Sequence, residues 1–168
     1  MVMMINRLAA MTIQISISEQ SLTLYEQAKP VKNYLVSTAL NGVGSEKNSG
    51  QTPLGKHIIR AKIGAELPMN SVFVGRRATG EIYNRNLASE FPQRDWILSR
   101  ILWLSGTELT KNRLGNVDTM QRYIYIHGTP DSEPMGKPLS HGCVRMRNVD
   151  IIELFELVEP GTKVEIIE

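Results

Sequence analysis

The segment SHGCVRM at residues 140–146 contains Cys143, the only cysteine in the 168-residue chain. Sixteen positions earlier, the segment YIHGT at residues 125–129 contains His127. A thiol becomes a good nucleophile at neutral pH when a base takes its proton, and a nearby imidazole is the usual base. The two segments therefore predict a Cys–His site, with the chain before residue 120 as the scaffold that brings them together.

The segment that leads into His127 has the alternation of a β-strand. Successive side chains of a strand point to opposite faces, so its isoleucines are expected to enter the core and its tyrosines to share the other face with the histidine. The residues are Ile124 and Ile126 on one face, and Tyr123, Tyr125 and His127 on the other. This pattern predicts His127 at a strand end, followed by a proline-containing loop over residues 128–139.

The remainder of the chain is rich in strand patterns. Alternation in residues 13–17 and 22–26, separated by a polar turn, predicts a hairpin. Further strands are expected at 31–38, 54–60, 72–74, 97–104 and 163–167. Residues 77–95 carry no clear pattern, and the sequence leaves open whether the region 77–121 covers the site as a lid.

One helix is expected directly after the cysteine segment. Asn148 would be its N-cap, and apolar residues follow at helical spacing: Ile151, Leu154, Phe155 and Val158. Together the patterns predict a mainly β fold, a sandwich or partly open barrel with one C-terminal helix.

Size and composition restrict the class of protein. A chain of this length fits a single domain, residues 1–168, with residues 1–11 as a short extension. The net charge of +2 and the lack of a basic stripe predict neither a nucleic-acid nor a membrane partner. The N-terminal residues lack the long apolar run of a secretory signal, so a cytoplasmic location is expected. A removed leader or a different start would instead make it periplasmic.

The residues alone leave other interpretations of Cys143 open. A lone cysteine is often a small buried hydrophobe, but Gly142 allows a ligand to approach the backbone closely. A zinc site is disfavoured because only His141 and Cys143 are closely spaced, and as i and i+2 they would point to opposite sides of an extended segment. His57 is expected to be structural or exposed. A papain-like protease is also disfavoured, because its cysteine precedes its histidine in the chain.

The two segments, HGT at 127–129 and SHGCVRM at 140–146, resemble the signature of the YkuD-type L,D-transpeptidase catalytic domain family. The opening hairpin is similar to the first strands of that family. The segment TPLG at 52–55 is similar to its recurrent Thr-Pro-x-Gly turn. The resemblance covers nearly the whole chain, and it implies cysteine acyl transfer without a metal or cofactor.

The resemblance also implies a role for each residue of the two segments. Cys143 would attack the amide between diaminopimelate and the terminal D-alanine of a peptidoglycan stem tetrapeptide, and His127 would be the base and then the acid. The Gly128 carbonyl would fix the imidazole tautomer, and the backbone around Ser140, His141 and Gly142 would stabilise the oxyanion. Substrate contacts are expected from Arg145, Tyr125 and Thr129, although Arg145 could only brace the loop and Tyr125 could only pack.

The fate of the thioester separates two expectations. Attack by water would make the chain an L,D-carboxypeptidase of muropeptide recycling, which the N-terminal sequence favours. Attack by an amine would make it a transpeptidase that forms 3–3 cross-links in the envelope. A non-catalytic module that binds stem peptides is the alternative outside enzymes. In each case the expected partners are peptidoglycan stem peptides or muropeptides, and the oligomeric state is left open.

Overall fold

The computed structural model describes residues 11–168, so the expected N-terminal extension lies outside the described residues except for Met11, which begins the first strand. Ten strands and two helices follow. The strands are β1 (Met11–Ser16), β2 (Ser21–Glu26), β3 (Lys29–Ser37), β4 (Gly55–Ile63), β5 (Ser71–Val74), β6 (Arg77–Ile82), β7 (Ile97–Gly106), β8 (Tyr125–Thr129), β9 (Val144–Arg147) and β10 (Lys163–Ile167). The helices are α1 (Arg85–Glu90) and α2 (Asn148–Leu157).

Eight of the strands close into a barrel. Their order is β4-β10-β1-β2-β3-β9-β8-β7, and a direct pairing of β4 with β7 completes the ring. The β5–β6 hairpin extends from β7 outside this ring. Two pairings are parallel, β1 with β10 and β8 with β9, and the others are antiparallel. The mainly β fold with one main C-terminal helix is confirmed, and the barrel is closed.

The core is built from the alternation that predicted the strands. In β1 and β2 the inward residues are fully or almost fully buried: Ile13, Ile15, Leu22 and Leu24. Helix α2 packs against β7, β8 and β9 and adds three of the apolar positions predicted from its spacing, Ile151, Leu154 and Phe155. The fourth, Val158, is fully buried in the same core at the C-cap of the helix. Burying each such side chain contributes about 1.5–3 kcal/mol. No helix within residues 11–168 is long and apolar enough to span a membrane.

Asn148 does not cap α2, which corrects the expectation from the sequence. The N-cap position belongs to Arg147, without a side-chain cap hydrogen bond. Asn148 is instead fully buried, where its side-chain oxygen accepts from the Ser99 hydroxyl at 2.6 Å and its Nδ2 donates to the Thr129 carbonyl at 2.9 Å. Its side chain therefore joins the start of α2 to β7 and β8.

The segments around His127 also differ from the expectation. Strand β8 begins at Tyr125, because Tyr123 has a positive φ of 55° and belongs to a turn. His127 is the third of five buried residues in β8, not a strand-end residue. The expected alternation is confirmed at Ile124 and Ile126, which both lie in the main core.

The cysteine segment is followed at once by a strand that the sequence did not indicate. Strand β9 pairs in parallel with β8, with Ile126 opposite Val144 and His127 opposite Arg145. This pairing brings the two signature segments side by side across the intervening loop. The region 77–95, which had no clear sequence pattern, contains β6 and α1.

Candidate active site

His127 and Cys143 line the same pocket, which has a volume of about 510 Å³. The parallel pairing of β8 and β9 places them there, since Cys143 immediately precedes β9 and His127 is central in β8. Polar residues near the two in sequence and from two more distant segments also line the pocket: Arg122, Tyr123, Tyr125, Ser140, His141 and Arg145, and then Arg76 and Asp95.

The His127 ring is held in one orientation. Its Nδ1 lies 2.6 Å from the Gly128 carbonyl oxygen, and the side chain is 1% exposed. Burial lowers the pKa of His127 below its usual value, against the opposing effects of the Gly128 carbonyl and the Asp95 charge. The imidazole is therefore neutral at pH 7, and a proton on Nδ1 leaves the Nε2 lone pair to act as a base.

Glycine is required after His127 by space. A Cβ on Gly128 would lie 2.5 Å from the Leu98 carbonyl oxygen in β7 and 2.5 Å from Asn148 Oδ1. Real Cβ atoms do not come so close to other atoms. Because Gly128 has no side chain, β8 can approach β7 closely. In that position the Gly128 carbonyl oxygen accepts from the imidazole.

The Cys143 thiol is half-buried beside the backbone that leads into β8. Its Sγ accepts from the Tyr125 N–H at 3.3 Å and lies 3.4 Å from the Tyr123 carbonyl oxygen. Burial raises the pKa of Cys143 to about 12, although the Tyr125 N–H and the charges of Arg145 and Arg122 act in the opposite direction. The resting pair is therefore a neutral thiol and a neutral imidazole, not an ion pair.

The turn before Cys143 is fixed by the Ser140 side chain. The Ser140 hydroxyl donates to the Cys143 carbonyl oxygen at 2.6 Å and accepts from the Gly142 N–H at 3.2 Å. Gly142 has a φ of 133°, a conformation that L side chains rarely adopt. Ser140 and Gly142 therefore shape the turn, and this bond already engages the Gly142 N–H.

The TPLG segment contacts the same turn. Thr52 is fully buried, and its hydroxyl donates to the Gly142 carbonyl oxygen at 2.9 Å and accepts from the Ala39 N–H at 3.0 Å. Arg122 braces the loop before Thr52 by donating to the Gln51 carbonyl oxygen at 2.6 Å. The conformation of the cysteine turn thus depends on contacts made more than 70 residues away in the chain.

Asp95 is a site residue that the sequence did not reveal. Its carboxylate lies 3.3 Å from Arg145 Nη2 and 3.4 Å from His141 Nδ1. Burial acts to raise the pKa of Asp95, but the charges of His127, Arg145 and His141 outweigh burial and lower that pKa below its usual value. The only signal was an acidic residue just before the apolar run of β7.

Arg76 is a second residue that the sequence did not reveal. It lies in the turn between β5 and β6, and its Nη1 donates to the Tyr125 hydroxyl at 3.0 Å. The signal for this turn was the Gly75-Arg76 pair between two short strands. Arg76 lines the pocket together with Cys143.

The residues predicted for substrate contact have different positions. Tyr125 both lines the pocket and packs against Phe73 and Ile101, so it has both of the roles that were left open. Arg145 is paired with Asp95 and also donates to the Leu139 carbonyl oxygen at 3.3 Å, so the bracing role is the one observed. Thr129 is buried and does not line the Cys143 pocket. It lines a neighbouring pocket that shares Asp95, His141 and Arg145 with it.

The remaining histidines are arranged differently from His127. The His141 side chain is 74% exposed at the rim, next to Asp95. His57 lies apart, buried in β4 and bonded to the Thr119 hydroxyl at 3.0 Å. Within residues 11–168, no group of three or more His, Cys, Asp or Glu side chains is placed to hold a metal ion.

The fold and the pocket define a closed mixed β-barrel in which a cysteine and an oriented imidazole face the same space. The chain belongs to the L,D-transpeptidase catalytic domain family, whose model matches residues 10–166. It is 29% identical over 154 residues to YkuD of Bacillus licheniformis, covering 92% of this chain and 64% of that protein. Over 46 residues it is 51% identical to YkuD of Bacillus subtilis, which covers 27% of this chain and 28% of that protein.

Solved structures show the same fold at lower identity. L,D-transpeptidase 3 from Mycobacterium tuberculosis, solved in complex with a faropenem-derived adduct, aligns with a TM-score of 0.58 and 16% identity. The alignment covers 95% of this chain and 60% of that one. The chain thus spans less than two thirds of the length of these relatives.

Proposed function

We propose that the chain forms a thioester between Cys143 and the third residue of a peptidoglycan stem tetrapeptide, with release of the terminal D-alanine. The observation that carries this proposal is the shared pocket of Cys143 and His127, whose Nδ1 is engaged by the Gly128 carbonyl. A neutral imidazole with an available Nε2 lone pair is what a protonated thiol needs as a base.

The proposed reaction moves one proton through His127. As Sγ attacks the amide carbonyl carbon, the thiol proton passes to His127 Nε2. When the C–N bond of the tetrahedral intermediate breaks, the same proton passes to the amine of the leaving D-alanine. Water or a second amine then attacks the thioester with His127 as base again, and its proton returns to Sγ. Because burial raises the pKa of Cys143 to about 12, the thiol is protonated at neutral pH and needs a base to remove its proton.

Backbone N–H groups of the cysteine turn would stabilise the oxyanion. The Gly142 N–H is bound to Ser140 Oγ, so we propose the N–H groups of His141 and Cys143 as the donors. One such donor contributes about 3–4 kcal/mol in other acyl-transfer enzymes. The Tyr125 N–H, 3.3 Å from Sγ, would in addition stabilise the negative charge that develops on sulfur.

The test follows the products from a disaccharide-tetrapeptide by mass spectrometry. We expect release of D-alanine, together with either the tripeptide or a cross-linked dimer. The tripeptide indicates an L,D-carboxypeptidase, and the dimer indicates a transpeptidase. Hydrolysis stays a prediction until this result is known; cytoplasmic location and recycled muropeptides as substrates are separate predictions that this assay does not address.

A covalent probe gives an independent readout of the nucleophile. Since the relative from Mycobacterium tuberculosis was solved with a faropenem-derived adduct, faropenem is the probe, and intact-protein mass is the measurement. We expect an adduct on the wild type and none on Cys143→Ala. No adduct and no D-alanine from the wild type would contradict the proposal. Unchanged binding of tetrapeptide under those conditions would identify a binding module.

A further inference from the structure

Arg76 is held at the edge of the pocket by a two-residue hairpin turn. Strand β5 ends at Val74 and β6 begins at Arg77, so the connection is Gly75 and Arg76 alone. Both have positive φ, 56° and 66°, which is the conformation of a tight type I′ hairpin turn. The turn directs the Arg76 side chain back toward the barrel, where it lines the same pocket as Cys143.

The guanidinium group is stacked on aromatic rings. Its Cζ lies 4.8 Å from the Trp103 ring centroid and 4.5 Å from that of Tyr123, and its Nη1 donates to the Tyr125 hydroxyl at 3.0 Å. Cation–π contacts and one neutral hydrogen bond orient the group without neutralising its charge. A planar guanidinium held in this way can present its N–H donors to a carboxylate in two parallel bonds.

The three arginines of the pocket differ in what they bind. Arg145 is paired with the Asp95 carboxylate, and Arg122 donates to backbone carbonyls and a hydroxyl of the loop before Thr52. None of the ion pairs found within residues 11–168 includes Arg76. Arg122 is in none of these ion pairs either, but both of its Nη atoms donate to that loop, whereas the one hydrogen bond found for Arg76 among the described residues is to the Tyr125 hydroxyl. Of the three, Arg76 therefore keeps the most N–H donors for an acidic ligand.

Tyr125 connects Arg76 to the proposed nucleophile. Its hydroxyl accepts from Arg76 at 3.0 Å, while its backbone N–H donates to Cys143 Sγ at 3.3 Å. Only the Tyr125 residue therefore separates Sγ, and a peptide joined to it, from the stacked guanidinium. We propose that Arg76 binds a carboxylate of the peptide acyl donor, an inference that rests on the proposed function.

Two carboxylates of the donor lie close enough to the reacting amide. One belongs to the terminal D-alanine on the leaving side, and the other to the side chain of the third residue on the acyl side. Both offer the same chemistry to Arg76. Amidation of each in turn distinguishes them, because a carboxamide keeps the shape but loses the charge.

The experiment measures binding in the Cys143→Ala background by calorimetry. The ligands are the tetrapeptide, the same peptide with a terminal D-alaninamide, and the same peptide with the third side-chain carboxyl amidated. We expect Arg76→Gln to weaken binding of the unmodified peptide about tenfold or more. For the peptide that lacks the recognised carboxylate, the same substitution should have almost no effect.

The matched control is Arg77→Gln, an exposed neighbour that does not line the pocket and should change none of the three affinities. If Arg76 only fastens the hairpin to the aromatic rings, Arg76→Gln will weaken all three peptides by the same factor or none of them. Either result overturns the proposal. The proposal is supported if Arg76→Lys restores the affinity for the unmodified peptide and still distinguishes the two amidated peptides.

Failure of recognition and failure of catalysis are separable. If the wild type releases no D-alanine but binding still depends on Arg76 and one carboxylate, the proposed reaction fails and this inference stands. If D-alanine is released and Arg76→Gln changes the affinity for all three peptides by the same factor, the reaction stands and this inference fails.

Discussion

His57 in β4 and His127 in β8 have nearly the same surroundings. Each side chain is 1% exposed, and the Nδ1 of each lies near a glycine carbonyl oxygen, 3.0 Å from Gly55 and 2.6 Å from Gly128. Burial lowers the pKa of both rings, to about 4 for His57. They differ at Nε2, because that of His57 is bonded to the Thr119 hydroxyl, whereas the His127 ring lines the Cys143 pocket.

The difference shows that burial and an anchored Nδ1 do not by themselves make a catalytic histidine. Both rings are neutral at pH 7 and held in one orientation. The ring whose second nitrogen is bonded inside the protein stabilises the fold. The ring whose second nitrogen can receive a proton in the pocket is the one proposed as a base. Each prediction below changes one member of the pair and uses the other as its control.

The largest expected effect is on activity. His127→Gln removes the proposed base, and we expect D-alanine release to fall about 10²–10⁴-fold, the range of general acid–base catalysis. His57→Gln should keep activity within a few-fold of the wild type at a temperature well below its unfolding midpoint. Initial rates with the disaccharide-tetrapeptide measure both, and an equal loss in the two variants would remove the functional distinction between the rings.

The second prediction concerns the pH dependence of stability, to which the buried His57 contributes. Its folded pKa of about 4 lies below the unfolded value of 6.5, so the unfolded chain takes up a proton first as the pH falls. Stability is unaffected by this ring above pH 6.5, declines between pH 6.5 and pH 4, and declines no further below. A difference of this size corresponds to about 3 kcal/mol.

Urea unfolding of the wild type and of His57→Gln over this pH range checks that prediction. The acid-dependent loss due to this ring should be absent from the variant, while contributions from His127 and the carboxylates are common to both and cancel in the difference. Parallel stability curves for the two proteins would show that His57 does not titrate as its burial requires.

The sequence predicted His127 and Cys143 because their chemistry and spacing are local properties. It could not separate a structural from an exposed His57, because the Thr119 partner lies 62 positions away. Asp95 and Arg76 were missed for the same reason. Asp95, just before β7, contacts Arg145 in β9, and Arg76, in the β5–β6 turn, contacts Tyr125 in β8, and both contacts form only in the folded chain. A charged residue in a segment without a clear pattern does not by itself indicate which distant strands it will contact.

The fold shows the same division between local and distant information. Strands with one buried face, such as β1 and β2, were predicted from alternation. Strand β6 was missed because most of its residues are exposed and it has no apolar face, and β9 because it is four residues long and follows a loop. Asn148 was expected to cap α2 from its position, but a buried amide beside Ser99 and Thr129 binds those groups instead.

The third prediction compares the glycines whose carbonyls hold the two rings. In Gly128→Ala the new Cβ would meet the Leu98 backbone carbonyl at 2.5 Å, so β7 and β8 must separate and the His127 anchor must move. We expect a loss of about 2 kcal/mol in the free energy of unfolding, as for other overpacked sites, and a clear loss of D-alanine release. Urea unfolding and initial rates measure the two effects.

Gly55→Ala is the control for that substitution. Gly55 has a φ of 101°, so alanine is strained there, but a Cβ would meet the side chains of Glu108, Asn112 and Lys111, not backbone atoms. We expect Gly55→Ala to destabilise the protein by about 1–2 kcal/mol while the remaining folded protein keeps its specific activity. The idea that Gly128 orients the base is contradicted if Gly128→Ala is destabilised yet fully active.

The fourth prediction has the smallest expected effect. It concerns the acidic residue whose charge acts on each ring. Asp95 raises the pKa of His127, and Glu108 raises that of His57. Asp95→Asn removes the charge but keeps an oxygen that can accept from Arg145. Without that charge the pKa of His127 falls, so the base stays unprotonated to lower pH. The acidic limb of kcat/KM for D-alanine release should therefore move down by less than one pH unit.

Glu108→Gln should leave that limb in place, because its charge acts on His57 and not on the pocket. The direction of the shift is the decisive observation for Asp95. Loss of activity at every pH would mean that Asp95 is itself the group whose protonation stops the reaction, and an unchanged limb would mean that solvent at the half-exposed Asp95 screens its charge from His127. A downward shift found only in Asp95→Asn would identify the acidic limb as the titration of His127, the histidine that lines the Cys143 pocket.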